Sequence, residues 1–341
     1  MLFAVVHAAP TSAANEFILF PEVRLSSQSP HSSTNDTSSK VIAGVDLFYA
    51  HDSGKLRLLG EAVLYKHEQE VERLQAGWRL QPETTLWLGR YHNLLGNWNS
   101  HFHHGAYFQT SISRPGIAEF EGEGGALQTH ITGALLEGVV ATGAGGLSYA
   151  VAVGAGSGFS VGRGLEPLDV LRPGVGQHRL SVAARAAYRA DADGMDEAGV
   201  FASHARIPSD GIAPLDIEQV VGGGYLNWEW ERLRLLSAAY WVRNTLGFPS
   251  GRNSDAFRNG YAQLEHEGWV DWTFYGRLEG TQGGGHDAYL TLFPDFVRAR
   301  NLGGVRFDFM RRQSLKLEIS NVHLQGRTYR PIVLQWSARF P

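Results

Sequence analysis

The residues Pro331-Ile332-Val333-Leu334-Gln335-Trp336-Ser337-Ala338-Arg339-Phe340-Pro341 alternate strictly between two faces. Ile332, Leu334, Trp336, Ala338 and Phe340 fall on one face, and Val333, Gln335, Ser337 and Arg339 on the other. Strand side chains repeat every two residues, so this is a strand with one apolar and one mostly polar face. Similar alternation recurs in segments of about ten residues along the chain. It predicts strands over 16–25, 41–50, 56–66, 71–80, 85–92, 126–140, 147–155, 177–190, 197–206, 218–230, 233–243, 256–266, 269–280, 301–311, 314–324 and 330–340, sixteen in all.

The connections carry a rhythm of their own. Tight turns are predicted at 51–54, 81–84, 141–146, 191–196, 231–232, 267–268 and 312–313. Most of the connections between them are long: 26–40, 93–125, 156–176, 207–217, 244–255 and 281–300. A membrane barrel has short turns on one side and long loops on the other, whereas a soluble sandwich has no reason to alternate them. With the N-terminus in the periplasm, the long loops face outward.

The two faces of each strand sort in the same sense. Leu74, Ala76, Trp78 and Leu80 oppose Arg73, Gln75 and Arg79. Val270, Trp272, Phe274 and Leu278 oppose Asp271, Thr273, Tyr275, Arg277 and Glu279, and Leu315, Leu317 and Ile319 oppose Lys316, Glu318 and Ser320. A charge facing lipid at mid-bilayer costs about 2–4 kcal/mol, so in a membrane these charges face a wet interior. The expected fold is all-β: a transmembrane antiparallel up-and-down barrel of about sixteen strands, wide enough for an aqueous channel.

Composition agrees. The chain of 341 residues is 43% hydrophobic, yet its mean hydropathy is -0.20. No run approaches the ~20 apolar residues of a transmembrane helix. Nine Trp suit interfacial girdles, and 41 Gly suit turns and curved strands. The absence of Cys excludes a disulfide scaffold, a Cys-based zinc site and c-type haem attachment. A net charge of -4 argues against nucleic acid as a partner. Residues 1–14 combine a short apolar run with small residues and read as the remnant of a secretory signal. Residues 15–341 then form a single barrel domain.

A closing strand that ends on Trp336 and Phe340 resembles the final strand of bacterial outer-membrane porins. That resemblance implies an outer-membrane location, lipid and the barrel insertion machinery as partners, and a role for Trp336 and Phe340 in the insertion signal. Here Pro341 follows the Phe, which departs from the usual pattern. In the general porins the loop after strand five folds toward the lumen and bears carboxylates beside a Phe-Gly-Gly turn. The sequence Glu119-Phe120-Glu121-Gly122-Glu123-Gly124-Gly125 is similar, in altered order. By this likeness Glu119, Glu121 and Glu123 line a constriction. They face Arg73, Arg79 and Arg90, with Arg179, Arg185, Arg277, Lys316 and Arg339 as further wall cations. Carboxylates opposite guanidiniums would set up a transverse field that orients solutes and selects ions. The resemblance also implies a homotrimer.

The same loop holds His101, His103 and His104, with His92 at its start and His130 just beyond; His92, His101, His103 and His104 are a candidate metal set, since imidazole is the commonest metal ligand. Their other reading is hydrogen bonding that braces the loop. The run 191–196 resembles the opening of a calcium loop but lacks its closing Glu, and suits a turn. No HExxH spacing occurs, and no Ser/His/Asp order stands out. The expected function is passive diffusion of small hydrophilic solutes or ions, with no enzyme activity and no cofactor. The alternatives are a metal-linked barrel, either an uptake pore or a sheath around an electron-transfer partner, then an adhesive or structural barrel, then a membrane hydrolase.

Overall fold

The computed structural model describes residues 14–27, 40–65, 68–102, 105–121, 124–143, 145–174, 176–191, 195–210, 214, 216–285 and 287–341. The expected signal remnant, His103, His104 and Glu123 lie outside the described residues, apart from Ala14 of the first strand. The strands are β1 Ala14–Ser26, β2 Lys40–Ser53, β3 Leu56–Tyr65, β4 Glu68–Gln81, β5 Thr84–His92, β6 His130–Thr142, β7 Gly145–Ala155, β8 Gly158–Ser160, β9 Gly164–Glu166, β10 Leu180–Arg189, β11 Glu197–Pro208, β12 Asp216–Trp230, β13 Leu233–Phe248, β14 Gly251–Trp269, β15 Trp272–Gln282, β16 Ala299–Met310, β17 Gln313–His323, β18 Thr328–Tyr329 and β19 Ile332–Ala338. Strands β8 and β9 form a separate small hairpin, and β18 pairs only with the end of β17. The other sixteen form one closed antiparallel barrel.

Each of the sixteen strands expected from the sequence falls on one barrel strand. The barrel closes where β1 meets β19, with Glu22 opposite Ser337 and Ser26 opposite Val333. This ladder lapses below Glu22 and resumes at the Leu19–Phe340 bridge. Pro21 lies in the gap and has no N–H to offer a neighbour.

Several boundaries differ from expectation. Strands β13 and β14 continue to Phe248 opposite Gly251, and β11 and β12 to Pro208 opposite Asp216, where long loops were expected. Their outward rows become polar there, with Arg243 and Thr245 bonded to Ser254, so the apolar signal ends before the strands do. The turn expected at 267–268 lies at Val270 and Asp271, after a bulge near Glu267 that Trp269–Trp272 pairing closes. Asp271 takes a φ of 67° there. Residues 126–129 were expected in β6 but lie outside it, because Ala126 and Leu127 are buried in an apolar cluster away from the sheet ladder.

Exposure identifies the faces. Leu278 is 65% exposed while its neighbour Arg277 is 1% exposed. Leu74, Trp78, Leu180, Leu317 and Ile319 are likewise exposed, whereas Gln75, Ser181, Lys316, Glu318 and Gln335 are buried. The barrel is apolar outside and polar inside, the inverse of a soluble barrel and the arrangement that lipid demands. Among the described residues no helix is long and apolar enough to cross a membrane, which says nothing of a barrel's strands. Trp78, Tyr188, Trp230, Trp269 and Trp272 are exposed next to the tight turns, as an interfacial aromatic girdle should be.

The inward face is not uniformly polar. Phe201, Tyr225, Tyr240, Phe257 and Tyr261 of β11–β14 share an apolar cluster with Leu95, Trp98, Phe102, Ile117 and Leu127, with Phe159 and Leu165 of the β8–β9 hairpin, and with Tyr289, Leu290, Phe293 and Phe296. Residues of three connections therefore pack against the inner face of one side of the barrel. The last group was not singled out in the sequence.

Candidate pore constriction

The connection between β5 and β6 runs from Asn93 to Thr129 and contains two single-turn helices, α1 Trp98–His101 and α2 Gly105–Phe108. Its two ends are tied together: the Asn93 N–H donates to the Thr129 carbonyl at 2.8 Å, and its side-chain amide to the Gln128 carbonyl at 2.9 Å. Between these ends the segment has little regular structure, so its backbone groups need other partners. The inward side chains of the barrel supply many of them.

Arg277 of β15 donates to the carbonyls of Ser113 and Arg114, each at 2.9 Å. Glu318 of β17 accepts the Ile112 N–H at 3.0 Å and the Ser113 N–H at 3.3 Å. Glu279 of β15 accepts the Gly116 N–H at 2.6 Å. Arg306 of β16 donates to the Tyr107 carbonyl at 2.6 Å, and Lys316 of β17 donates to that of Ala106. On another part of the wall, Arg185 of β10 donates to the Gly96 carbonyl and the Ser100 hydroxyl. Two glycines make close approach feasible. A Cβ on Gly105, which has φ of 60°, would lie 2.4 Å from the Phe20 side chain, and one on Gly116 would lie 2.5 Å from Val297.

The acidic residues singled out in the sequence part company. Glu119 pairs with Arg300 at 3.5 Å and keeps 17% of its side chain exposed. Glu121 is buried and accepts from the Thr129 N–H at 2.9 Å, the Thr129 hydroxyl, the Ser157 hydroxyl at 2.6 Å and His130 Nδ1 at 2.8 Å. Burial alone would raise the Glu121 carboxyl, but the His130 charge and these hydrogen bonds outweigh it and hold the group below its ordinary value.

The wall cations are also distinct from one another. Arg73 pairs with Glu61 at 2.7 Å, Arg79 with Asp52 at 2.7 Å, and Arg90 with Glu70. Arg277 and Lys316 are almost fully buried, their charges committed to the segment and to Glu279. Arg339 pairs with Glu16 at 3.2 Å, while Arg179 is exposed just before β10.

The histidines divide as well. His92 lies against His130, with ring centroids 5.1 Å apart, and near Glu72. His101 stands elsewhere, 3.9 Å from Glu197, with Arg185 and Arg189 nearby. Burial and the two guanidiniums pull its imidazole down to about 4, against Glu197. Glu72 was not singled out in the sequence, and His130 was noted only as lying just beyond the histidine-bearing loop. A signal for Glu72 was present: Glu68, Glu70 and Glu72 occupy even positions, but the polar row resumes on the odd positions Arg73, Gln75 and Arg79. This slip marks the bulge at which Arg73 pairs with Glu61 and Val71 with Ala62, leaving Glu72 as the extra residue.

Acid is predicted to loosen the segment in two steps. The depressed His101 pKa favours the neutral imidazole in the fold. Its contribution is present above the ordinary value of 6.5 and is lost as the pH falls toward 4. Glu121 contributes above its ordinary value of 4.5 and loses that contribution at lower pH, through its depressed folded value. His101→Gln should abolish the upper step and spare the lower one, as read by protease cleavage within 93–129 during acid titration. An upper step that survives the substitution would remove His101 from this role.

These features define a closed, inverted β-barrel with a long segment anchored to its charged inward rows. No family model matches the chain, and no curated protein matches it in sequence. In fold it is similar to the outer membrane channel DcaP of Acinetobacter baumannii, at 10% identity and a TM-score of 0.62, covering 96% of this chain and 97% of that one. It is similar to Salmonella typhi OmpF, solved with daunomycin, at 11% identity and a TM-score of 0.60, with 96% and 97% covered. It is also similar to the anion-selective porin from Comamonas acidovorans, at 10% identity and a TM-score of 0.59, with 96% and 99% covered. The chain thus has the porin-type sixteen-stranded barrel fold.

Proposed function

We propose that the protein is a channel of the bacterial outer membrane through which small hydrophilic solutes or ions diffuse passively, narrowed by segment 93–129. The observation that carries this reading is the inversion of the barrel, with charged rows inside and an apolar belt outside. Diffusion through such a wall needs no covalent chemistry and no cofactor. The segment is bound to inward side chains of β10, β15, β16 and β17, which supports its lying across the lumen. Arg24, Asp52, Arg57 and Arg79 keep between 24% and 33% of their side chains exposed and belong to β1–β4. The water path is accordingly assigned to that side. A homotrimer, and an insertion signal at Trp336 and Phe340 on the outward row, belong to the same reading.

Glu119 is the described loop carboxylate that retains water contact, so it is assigned to selectivity, while the buried Glu121 is assigned to anchoring. Refolded protein in planar bilayers should show stable conductance steps. Under a salt gradient, Glu119→Gln should move the reversal potential toward anions, because a water-facing negative charge is removed and Arg300 keeps only Glu279 as its counter-charge. Silence from correctly folded barrels would overturn the channel reading. Discrete steps with an unchanged reversal potential would remove only Glu119.

A further inference from the structure

Glu72, His92 and His130 stand side by side on three neighbouring strands. His92 of β5 is the register partner of His130 of β6, and Glu72 is the residue by which β4 bulges away from β3. Their ligand atoms all lie within 4.8 Å of one another, and all three side chains are buried. We propose that this row is a binding site for a divalent transition-metal ion of the zinc class, with the Glu72 carboxylate, the His92 imidazole and His130 Nε2 as ligands.

Three features support a built site. First, two imidazoles and one carboxylate form a donor set that suits zinc and its neighbours, and leaves a fourth position for water or another ligand. Second, the other nitrogen of His130 is already held, with Nδ1 2.8 Å from Glu121 Oε2. A carboxylate on the far nitrogen fixes the tautomer and the ring plane of a metal-binding histidine. Glu121 is itself fixed by Thr129 and Ser157. Third, the carboxylates of Glu70, Glu72 and Glu121 converge here, with Arg90 paired to Glu70 and His130 between Glu72 and Glu121, so a divalent ion that displaces the second ring proton of His130 would take over the pairing of these carboxylates.

Binding requires the three side chains to shift, one pair opening and the wider-spaced atoms, within 4.8 Å of one another, closing. Glu72 Oε2 lies 2.7 Å from His130 Nε2. Metal–ligand bonds of about 2.0–2.1 Å place tetrahedral ligand atoms about 3.3 Å apart, so this pair must open by roughly half an ångström. Bound metal would tie β4, β5 and the start of β6 together, and would reach segment 93–129 only through the Glu121–His130 contact. The site does not depend on the channel reading.

Zinc chloride titrated calorimetrically into the folded, detergent-solubilised protein tests the proposal, with X-ray absorption at the zinc edge on the same sample. The expected result is one zinc per chain with two imidazoles and a carboxylate oxygen around it. Glu72→Gln and His92→Ala should each weaken binding by at least about tenfold, as should Glu121→Gln through His130. His101→Ala should leave it unchanged. Absence of binding, or binding that survives both Glu72→Gln and His92→Ala, would overturn the site. Conductance is a separate measurement, so a silent barrel that binds zinc in this way would sink the channel reading and keep this one.

Discussion

Arg277→Ala is expected to widen the conducting path while the barrel stays folded. The guanidinium is buried on β15 and does several jobs at once. It donates to the carbonyls of Ser113 and Arg114, donates to Gln263 at 3.0 Å, lies 3.5 Å from Glu279 and faces the Trp98 ring at 5.4 Å. Removing one partner of a buried ion pair costs about 3–5 kcal/mol, because the other charge is left behind. Arg300 also pairs with Glu279 and should recover part of this. Two carbonyls of the segment, in contrast, lose a strong donor. Barrel hydrogen bonds are untouched, so the loss should fall on the anchoring of 93–129. Single-channel conductance should rise, and protease should cut the segment faster. Arg277→Lys should be intermediate, since an ammonium keeps the charge but not the planar fork that reaches two carbonyls. If conductance and cleavage both stay at wild-type values, Arg277 is not the anchor.

Phe296→Ala should destabilise the protein by about 3–5 kcal/mol, the range for an aromatic removed from a closed core. Phe296 is fully buried and meets Phe257 of β14 with ring centroids 6.1 Å apart. Tyr289, a few residues earlier, donates from its hydroxyl to the Ala126 carbonyl at 2.6 Å. The connection between β15 and β16 thus supports the end of segment 93–129 from the apolar side, while Arg277 and Glu318 hold it from the charged side. Equilibrium unfolding of the lipid-reconstituted barrel in urea would measure the loss. A change below about 1 kcal/mol, typical of exposed surface sites, would show that this core is not closed in solution.

The strands were legible because burial in lipid imposes alternation over their full crossing, as in Leu315, Leu317 and Ile319 against Lys316, Glu318 and Ser320. The tips were not, because beyond the lipid both rows are polar, as at Arg243, Thr245 and Ser254. Tyr289, Leu290, Phe293 and Phe296 could have been read from sequence, since a run of large apolar residues in a connection needs something to cover it. The Glu72 bulge was likewise visible as a slip of phase. The partners of the inward charges were not. Arg277 reads as a wall cation, but its partners are backbone carbonyls, and no residue type announces a carbonyl. His92 and His101 share one loop, yet cross-strand register sends one to His130 and the other toward Glu197. Such pairings become determined only when the register of every intervening strand is known.

The meeting of β1 with β19 has a consequence for assembly. Loop closure across most of the chain is the most demanding entropic step in a cylinder of this kind. The ladder that accomplishes it holds five register pairs, against sixteen between β13 and β14. Pro21 withholds a donor within it. Until that seam forms, the interior is the open face of a curved sheet, onto which three connections can settle from the side. Once it forms, they could enter only by threading through a mouth. The expected order is contents first and container last; exchange labelling during refolding that protects the β1–β19 seam before segment 93–129 would reverse it.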